Sequence, residues 1–220
     1  MRTRIAFRQG NLAAAALFTA LLSGCASTPP AVEGYVAPPV GSTFTYAQHN
    51  TGSYVPQFGA SEAQFTTTQG ERVWEGRKVI AASSTQGVTI VSEPAPSGAM
   101  IAIILPGDKP FIRYDPPVSV EYPVQVGKEW KKTYQLTLVT GQILTADTSW
   151  KVESYEDVTV PAGTYKTFKV IDTWSTGVQQ TVWFSPDLGI WVKWEETRSP
   201  GYRAGPGTQK NELVSLNIKK

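Results

Sequence analysis

The chain contains a single histidine, His49, and a single cysteine, Cys25, and these counts limit the chemistry open to it. Ser-His-acid and Cys-His catalysis both need a histidine base beside the nucleophile. His49 stands next to Asn50, Gly52 and Ser53, a polar stretch that predicts a solvated loop. Zinc sites usually need three or four Cys or His ligands, and neither a phosphate-binding loop nor an Asp-rich calcium loop is present. We therefore expect no metal ion and no cofactor.

Paired carboxylates are the remaining route to hydrolysis, because a glycosidase needs only two acids flanking one bond. The candidates are Glu153, Glu156 and Asp157 in one cluster and Glu195 with Glu196 in another. Adjacent residues of a strand face opposite sides, so Glu195 and Glu196 are not expected to converge on one bond. Both clusters are interpreted as solvated strand ends, and a carboxylate-based hydrolase is kept as the third functional alternative.

Tryptophans are concentrated in the second half of the chain, where six of the seven lie. On the predicted strand that begins at Ile190, Trp191 shares the more polar face with Lys193 and Glu195. Trp183, on the preceding strand, is its neighbour across the hairpin if the register allows. Exposed aromatic rings can stack on sugars or line a groove for an apolar ligand, whereas buried rings pack across strands. Trp183 and Trp191 are the possible ligand-binding residues, and cross-strand packing is the alternative.

Cys25 follows a segment with the composition of a secretory signal. Three arginines within the first eight residues precede an apolar run over residues 12–22. That run is too short for a transmembrane helix, which needs about 20 apolar residues. The junction Leu22-Ser23-Gly24-Cys25 resembles the lipobox of bacterial lipoproteins, in which the cysteine thiol is acylated and becomes the new N-terminus. Residues 1–24 are therefore predicted to be a lipoprotein signal peptide.

The lipobox resemblance implies a membrane anchor on Cys25. Two acyl chains such as palmitate are expected on the sulfur, commonly with a third chain on the amine. One chain alone gives marginal binding, but two or more hold a protein stably on a bilayer. In Gram-negative bacteria an Asp after the cysteine favours the inner membrane, and Ala26 stands there instead. The resemblance thus implies the outer membrane, on its periplasmic face.

The net charge changes sign when the signal is removed. The whole chain has a formal charge of +2, but residues 25–220 keep 17 basic and 18 acidic side chains, a net of −1. No basic patch then predicts contact with nucleic acid or anionic lipid. Because a second cysteine is absent, these 196 residues must form a stable core without disulfides, which their number permits.

Residues 25–40 are rich in proline and small residues and predict a tether. Pro29, Pro30, Pro38 and Pro39 favour an extended polyproline conformation. At ~3.1 Å per residue, such a segment reaches about 45 Å and can hold a domain clear of the lipid headgroups. The alternative is that this segment packs on the domain, which is predicted to span residues 41–220.

Residues 41–220 predict an all-β domain, either an antiparallel curved sheet or a β-barrel. Val, Thr, Tyr, Phe and Trp are abundant, and Gly or Pro interrupts them at intervals of about ten residues. The clearest hairpin turns at Pro186-Asp187-Leu188-Gly189, which suits a type I turn followed by a bulge. The predicted strands are 72–82, 87–91, 100–105, 134–139, 148–154, 165–174, 179–185, 190–196 and 212–218.

Two stretches of the domain carry similar residues at a nearly constant spacing. Lys78-Val79-Ile80 matches Lys169-Val170-Ile171, and Gly87 matches Gly177, at separations of 91 and 90 residues. The hypothesis is a duplicated antiparallel unit over residues 41–116 and 124–198. Chance similarity between Thr- and Val-rich strands is the alternative.

Three short motifs follow one another between residues 120 and 198. They are Val126-Gly127-Lys128-Glu129-Trp130, Val160-Pro161-Ala162-Gly163-Thr164, and Trp183-Phe184-Ser185-Pro186 with Leu188-Gly189. This pattern resembles a β-rich module of uncharacterised bacterial envelope lipoproteins. The resemblance implies a β-rich envelope domain and assigns no catalytic residue.

These observations together predict a lipid-anchored envelope protein with a non-catalytic binding or scaffolding role. Its partner is expected to be an envelope protein or a cell-wall polymer, with no nucleic acid involved. The alternative is a carrier of an acyl chain or another apolar ligand on the concave face of the sheet. A cavity lined by Trp, Ile and Val favours the carrier, and a filled interior favours the scaffold. A hydrolase requires two carboxylates within about 5–10 Å in a cleft.

Overall fold

A computed structural model describes residues 30–220, so the predicted signal peptide and Cys25 lie outside the described residues. Within this range no helix has the length and apolar character needed to cross a bilayer. The elements in chain order are β1 Thr43–Asn50, α1 Tyr54–Phe58, β2 Glu62–Trp74, β3 Arg77–Ser84, β4 Thr89–Ser92, β5 Met100–Leu105, β6 Lys109–Val118, β7 Glu129–Leu138, β8 Ile143–Val160, β9 Gly163–Trp174, β10 Val178–Ser185, β11 Ile190–Arg198 and β12 Gly207–Asn217.

The strands form one antiparallel barrel in which each strand pairs with the next along the chain. The first and last strands close it, with Thr43 opposite Asn217 and Asn50 opposite Gln209. The prediction of an all-β antiparallel fold is confirmed, and of the two predicted forms the sheet is a closed barrel. Closure pairs both edges of the sheet, so no edge strand is left open to another chain.

Alternating side chains of the second half fill the barrel. On β8, Ala146, Thr148, Trp150 and Val152 are buried, while the residues between them are exposed. Aromatic rings stack across neighbouring strands, with 5.4 Å between the ring centroids of Trp130 and Trp150. The fully or nearly buried members of this main core are Val118, Val124, Trp130, Tyr134, Leu136, Ala146, Trp150, Val152, Phe168, Val170, Val182 and Phe184.

Two smaller apolar clusters complete the core. One joins the closing strands and contains Phe44, Tyr46, Phe65, Val160, Val192 and Leu213. The other lies on β2 to β5 and contains Trp74, Val79, Val91, Ile101, Ala102 and Ile104. Met100–Leu105, one of the predicted strands, is β5 and contributes three residues to this third cluster.

The up-and-down order gives the barrel two ends, which we call the base and the top. The base is the end at which β1 begins, and it includes the loops 93–99, 119–128 and 186–189. The top is the end at which β1 finishes, and it includes α1 and the loop 199–206. Each end is crossed by a separate segment of the chain.

Residues 32–40, which we call the strap, cross the base. Val32 and Val124 exchange two backbone hydrogen bonds of 3.0 and 2.8 Å, and the Tyr35 N–H donates to the Pro96 carbonyl at 2.8 Å. The Tyr35 ring packs against the main core. A Cβ on Gly189 would lie 2.0 Å from the Val36 carbonyl oxygen, so the strap also touches the turn between β10 and β11. Of the two alternatives for residues 25–40, packing on the domain therefore applies from Val32 onward.

Two local predictions are wrong. The predicted single strand over residues 72–82 is a hairpin, because Glu75 and Gly76 both adopt positive φ and form the turn between β2 and β3. The predicted loop around His49 is part of β1, where His49 pairs with Glu62 on one side and Lys210 on the other. Alternation along β1 places this polar residue on the outer face.

The duplication stays a prediction. Lys78–Ile80 and Lys169–Ile171 lie in the third strand of their respective halves, and Gly87 and Gly177 both adopt positive φ in the turn that follows. An up-and-down barrel, however, gives any two halves the same strand order, so the shared order does not distinguish duplication from chance.

Candidate functional site

Trp183, the first of the two predicted ligand-binding residues, lies on the outer face of β10. Its indole N–H donates to Glu156 Oε1 at 2.9 Å. Lys193 and Lys169 are its cross-strand partners, and their ammonium groups lie 5.0 and 5.9 Å from the ring centroid. The ring is therefore already engaged in cation–π contacts on both flanks, which leaves it little free face for a sugar.

Trp191, the second predicted ligand-binding residue, is 36% exposed near the base of the barrel. A bulge between Trp183 and Phe184 sets Trp191 opposite Phe184, so the register does not place Trp183 directly across from Trp191. The Trp191 ring contacts Trp194 edge-on, with 6.2 Å between centroids. Its carbonyl accepts a hydrogen bond from the Tyr46 hydroxyl at 2.9 Å, which fixes the backbone at this point.

The first carboxylate cluster is held in separate pairs along the outside of β8. Glu153 pairs with Lys169 at 2.5 Å, and Asp157 pairs with Lys166 at 2.8 Å. Hydrogen bonds from Ser154 and then from Trp183 lower the pKa of Glu156, which keeps this carboxylate ionised. Each acid thus has its own donor, as expected for a solvated strand surface.

The second carboxylate pair divides between the two faces of β11, as the alternation predicts. Glu195 lies outside, 3.4 Å from Lys193 and 3.8 Å from Lys210. Glu196 faces inward, accepts a hydrogen bond from the Tyr54 hydroxyl, and lies 3.4 Å from the Gln180 amide. The two carboxylates therefore act in different environments.

A group of inward polar residues near the top includes Asp172, which was not among the sequence-derived candidates, and Glu196, whose interpretation as part of a solvated strand end is wrong because it faces inward. Asp172 and Glu196 are the cross-strand neighbours of Gln180 on its two sides. Asp172 is fully buried, its Oδ1 accepts the Trp174 indole N–H, and its Oδ2 has no partner among residues 30–220. Burial raises the pKa of Asp172 to about 7, and burial likewise raises the pKa of Glu196.

Helix α1 lies at the top of the barrel and contacts Glu196 through the Tyr54 hydroxyl. The Arg198 guanidinium lies 3.6 Å from the Tyr54 ring centroid and 4.7 Å from that of Tyr202. The same guanidinium donates to Ser53 Oγ at 3.2 Å and to Gln57 Oε1 at 2.7 Å. Stacking and forked hydrogen bonds together make Arg198 the residue that fastens α1 to β11.

Two surface clefts lie outside the filled core. One, of about 350 Å³, is at the base and is lined by residues that include Glu33, Pro96, Glu121 and Tyr122. The other, of about 380 Å³, lies on the outer face of the closing strands, where His49, Glu62, Lys193, Glu195, Lys210 and Glu212 alternate in charge. Within residues 30–220, no three His, Cys, Asp or Glu residues gather as a metal-binding group.

No protein-family model and no curated protein sequence matches the chain. Among solved structures it is similar to the hypothetical lipoprotein YmcC from Escherichia coli, at 9% identity and a TM-score of 0.44, over 82% of this chain and 87% of YmcC. A candidate exported protein with a YmcC-like fold from Bacteroides fragilis gives 12% identity and a TM-score of 0.44, over 84% of this chain and 99% of that one.

A candidate lipoprotein from Parabacteroides distasonis gives 10% identity and a TM-score of 0.43, over 84% of this chain and 99% of that one. Identities and TM-scores this low transfer neither a family name nor a function to this chain.

Proposed function

We propose that the chain is a lipid-anchored protein of the bacterial outer membrane, held on the periplasmic face through Cys25, with a non-catalytic binding or scaffolding role. The order of basic residues, apolar run and Leu22-Ser23-Gly24-Cys25 supports the anchor. The partner is an envelope protein or a cell-wall polymer that binds the outer surface of the barrel.

The filled barrel is the observation that carries this role. Tyr134 and Phe168 are both fully buried inside it, and aromatic stacking occupies the space between the strands. The strap covers the base, and α1 covers the top. A carrier of acyl chains needs an apolar cavity of a few hundred Å³ with an entrance, so this packing supports the scaffold over the carrier.

The carboxylates also support a non-catalytic role. The outer acids on β8 are each paired with a lysine or a hydroxyl donor. Of the two inward acids, Asp172 is fully buried, and the partly buried Glu196 accepts a hydrogen bond from Tyr54 of α1. A glycosidase needs its two carboxyl groups in a cleft that admits a sugar ring between them.

Lipid labelling of the full-length chain tests the anchor. Cells expressing the wild type and Cys25→Ala are grown with alkyne-palmitate, and the products are analysed by intact mass. We expect the wild type to carry label, to have lost residues 1–24, and to fractionate with membranes. Cys25→Ala should carry no label. An unlabelled wild type that retains residues 1–24 would contradict the anchor.

Organic extraction of the purified protein distinguishes the scaffolding role from the carrier role. Native mass spectrometry before and after organic extraction should show only the covalently bound chains. A stoichiometric, non-covalent lipid would support the carrier instead. Co-sedimentation with isolated cell-wall sacculi then tests the polymer: retention supports the polymer as the partner, and its absence excludes it.

A further inference from the structure

Large hydrophobic side chains are exposed at both ends of the barrel and are somewhat more numerous at the base. Of the ten exposed within residues 30–220, six lie at the base, with exposed fractions from 36 to 70%, and the other four, Ile90, Phe111, Val139 and Ile143, lie toward the top. The six at the base come from the strap, the end of β2, the loop before β7, the start of β11 and the residue after β12. These six residues, which we call the base rim, are Val36, Val40, Val73, Val126, Trp191 and Ile218.

The predicted lipid attachment point is close to the same end. Cys25 precedes Val32, the first strap residue bonded to the base, by seven positions. A fully extended chain covers at most ~3.6 Å per residue, so these seven residues span no more than about 25 Å. An acylated Cys25 therefore keeps the base within about 25 Å of the lipid.

The barrel cannot stand on its top while the base stays attached. Exposed Ile143 begins β8 near the top, and the strand runs 18 residues to Val160 near the base. At ~3.3 Å per residue and a tilt of ~45°, that strand spans roughly 40 Å along the barrel axis. If the top rested on the membrane, the distance from the base to the lipid would exceed the extended length of the seven residues between Cys25 and Val32.

Charges at the base are mixed in sign. Glu33 and Glu121 line the cleft there, whereas Lys128 and Lys219 are nearby cations. Such a surface gives little net attraction to anionic lipid. Valine, isoleucine and a half-exposed tryptophan instead suit the boundary between headgroups and acyl chains, where apolar burial supplies the binding.

We infer that the base rim rests on the bilayer to which Cys25 is bonded, so that the barrel stands on its base and α1 points away from the membrane. This inference depends on the proposed lipid anchor. The ligand class is a lipid surface, contacted through apolar side chains and independent of headgroup charge. Trp191, singled out from the sequence as a ligand-binding residue, then contacts lipid.

Depth-dependent quenching tests the orientation in the full-length, acylated protein. Acylation blocks the only native thiol, so Val126→Cys and the matched control Ile143→Cys each offer one reactive sulfur. Both parent residues are exposed and apolar, and they lie at opposite ends of the barrel. Each variant is labelled with NBD and reconstituted into phosphatidylcholine vesicles, with intact mass confirming the acyl chains.

We expect doxyl-labelled lipid to quench NBD at position 126 at least threefold more than at position 143. Iodide in solution should show the reverse preference, and both results should persist at 1 M NaCl. Equal quenching at the two positions, or stronger lipid quenching at 143, would overturn the orientation while leaving the anchor intact. A mass without acyl chains would overturn the anchor and the orientation together.

Discussion

The hydroxyl group of Tyr54 donates a hydrogen bond to Glu196, a residue 142 positions further along the chain. Tyr54 belongs to α1, and Glu196 faces inward from β11, so this bond connects the covering helix with the barrel wall. The Tyr54 ring also stacks against Arg198, two residues beyond Glu196. One tyrosine thus serves both as a donor to a buried acid and as a platform for a cation.

Removing only the hydroxyl separates these two roles. Tyr54→Phe keeps the ring beneath Arg198 but leaves Glu196 Oε1 without its donor. We expect the free energy of unfolding to fall by about 1–3 kcal/mol at pH 7.5, because a buried acceptor loses its partner. Urea denaturation followed by fluorescence measures the change. Unaltered stability would mean that this bond contributes nothing to the attachment of α1.

Tyr134→Phe is the matched comparison, with the opposite expectation. The Tyr134 side chain is fully buried, and its hydroxyl has no hydrogen-bond partner within residues 30–220. Deleting an unsatisfied buried hydroxyl removes a desolvation cost, so stability should stay the same or rise by up to about 1 kcal/mol. The same urea titration tests it. A loss as large as that of Tyr54→Phe would indicate a bound water on this hydroxyl.

Asp172 should make the protein less stable as the pH rises from about 4 to 7. Burial raises the pKa of this carboxyl from 3.8 to about 7, so the folded state holds a proton that the unfolded state has released. Stability is therefore highest below the unfolded pKa and falls until the folded carboxyl ionises. A shift of this size corresponds to a loss of up to about 4 kcal/mol.

Asp172→Asn tests this pH dependence. The variant should be more stable than the wild type at pH 8 and close to it at pH 4.5, because asparagine carries no charge to desolvate. Some slope should remain, since burial also raises the pKa of Glu196. Denaturant titrations at pH 4.5, 6 and 8 give the profile. Parallel curves for the two proteins would exclude Asp172 as the titrating group.

Gly98 should control the seating of the strap. A Cβ added there would lie 2.4 Å from the Tyr35 ring, at a backbone φ of 61°. Gly107 is a matched control, because its φ of 78° is equally unfavourable for alanine but its Cβ would meet nothing within 4 Å. Both alanine variants should lose about 1 kcal/mol or more from backbone strain.

Only Gly98→Ala should displace the strap as well. Hydrogen exchange should show faster exchange of the Val32 and Tyr35 amides, which donate to Val124 and Pro96. In Gly107→Ala these amides should exchange at the wild-type rate. Equal protection of the strap in both variants would mean that Tyr35 adapts to the added methyl group.

Turns marked by several concordant residues are the local features that sequence reasoning predicts well. The turn at Pro186–Gly189 combines a proline, a side-chain cap and a glycine within four residues, and the structure has Gly189 at a φ of 65° in the hairpin between β10 and β11. By contrast, β6 was not predicted, because Pro110, Pro116 and Pro117 interrupt its pattern. Pro116 and Pro117 lie outside the paired register on both sides, where a missing N–H costs no ladder bond.

The sequence contains a signal for a polar group in the interior, but it contains none for the position of α1. Phe168, Val170, Asp172 and Trp174 alternate on one face of β9, so an acid on an apolar face was a detectable signal. The position of α1 at the top of the barrel depends on contacts with Glu196 and Arg198, which lie more than 140 positions further along the chain. Periodicity carries no information on such long-range contacts. The contacts that hold the strap against the base are of the same kind.

The pairing of β1 with β12 makes the barrel's completion depend on the last strand to be synthesised. Until β12 arrives, β1 and β11 each present a row of unsatisfied backbone groups to the surroundings. Such long-range pairing is intrinsically slow to form. The nascent chain therefore passes through an open sheet with two unpaired edges. Aggregation and the binding of holdase chaperones are favoured most at this stage.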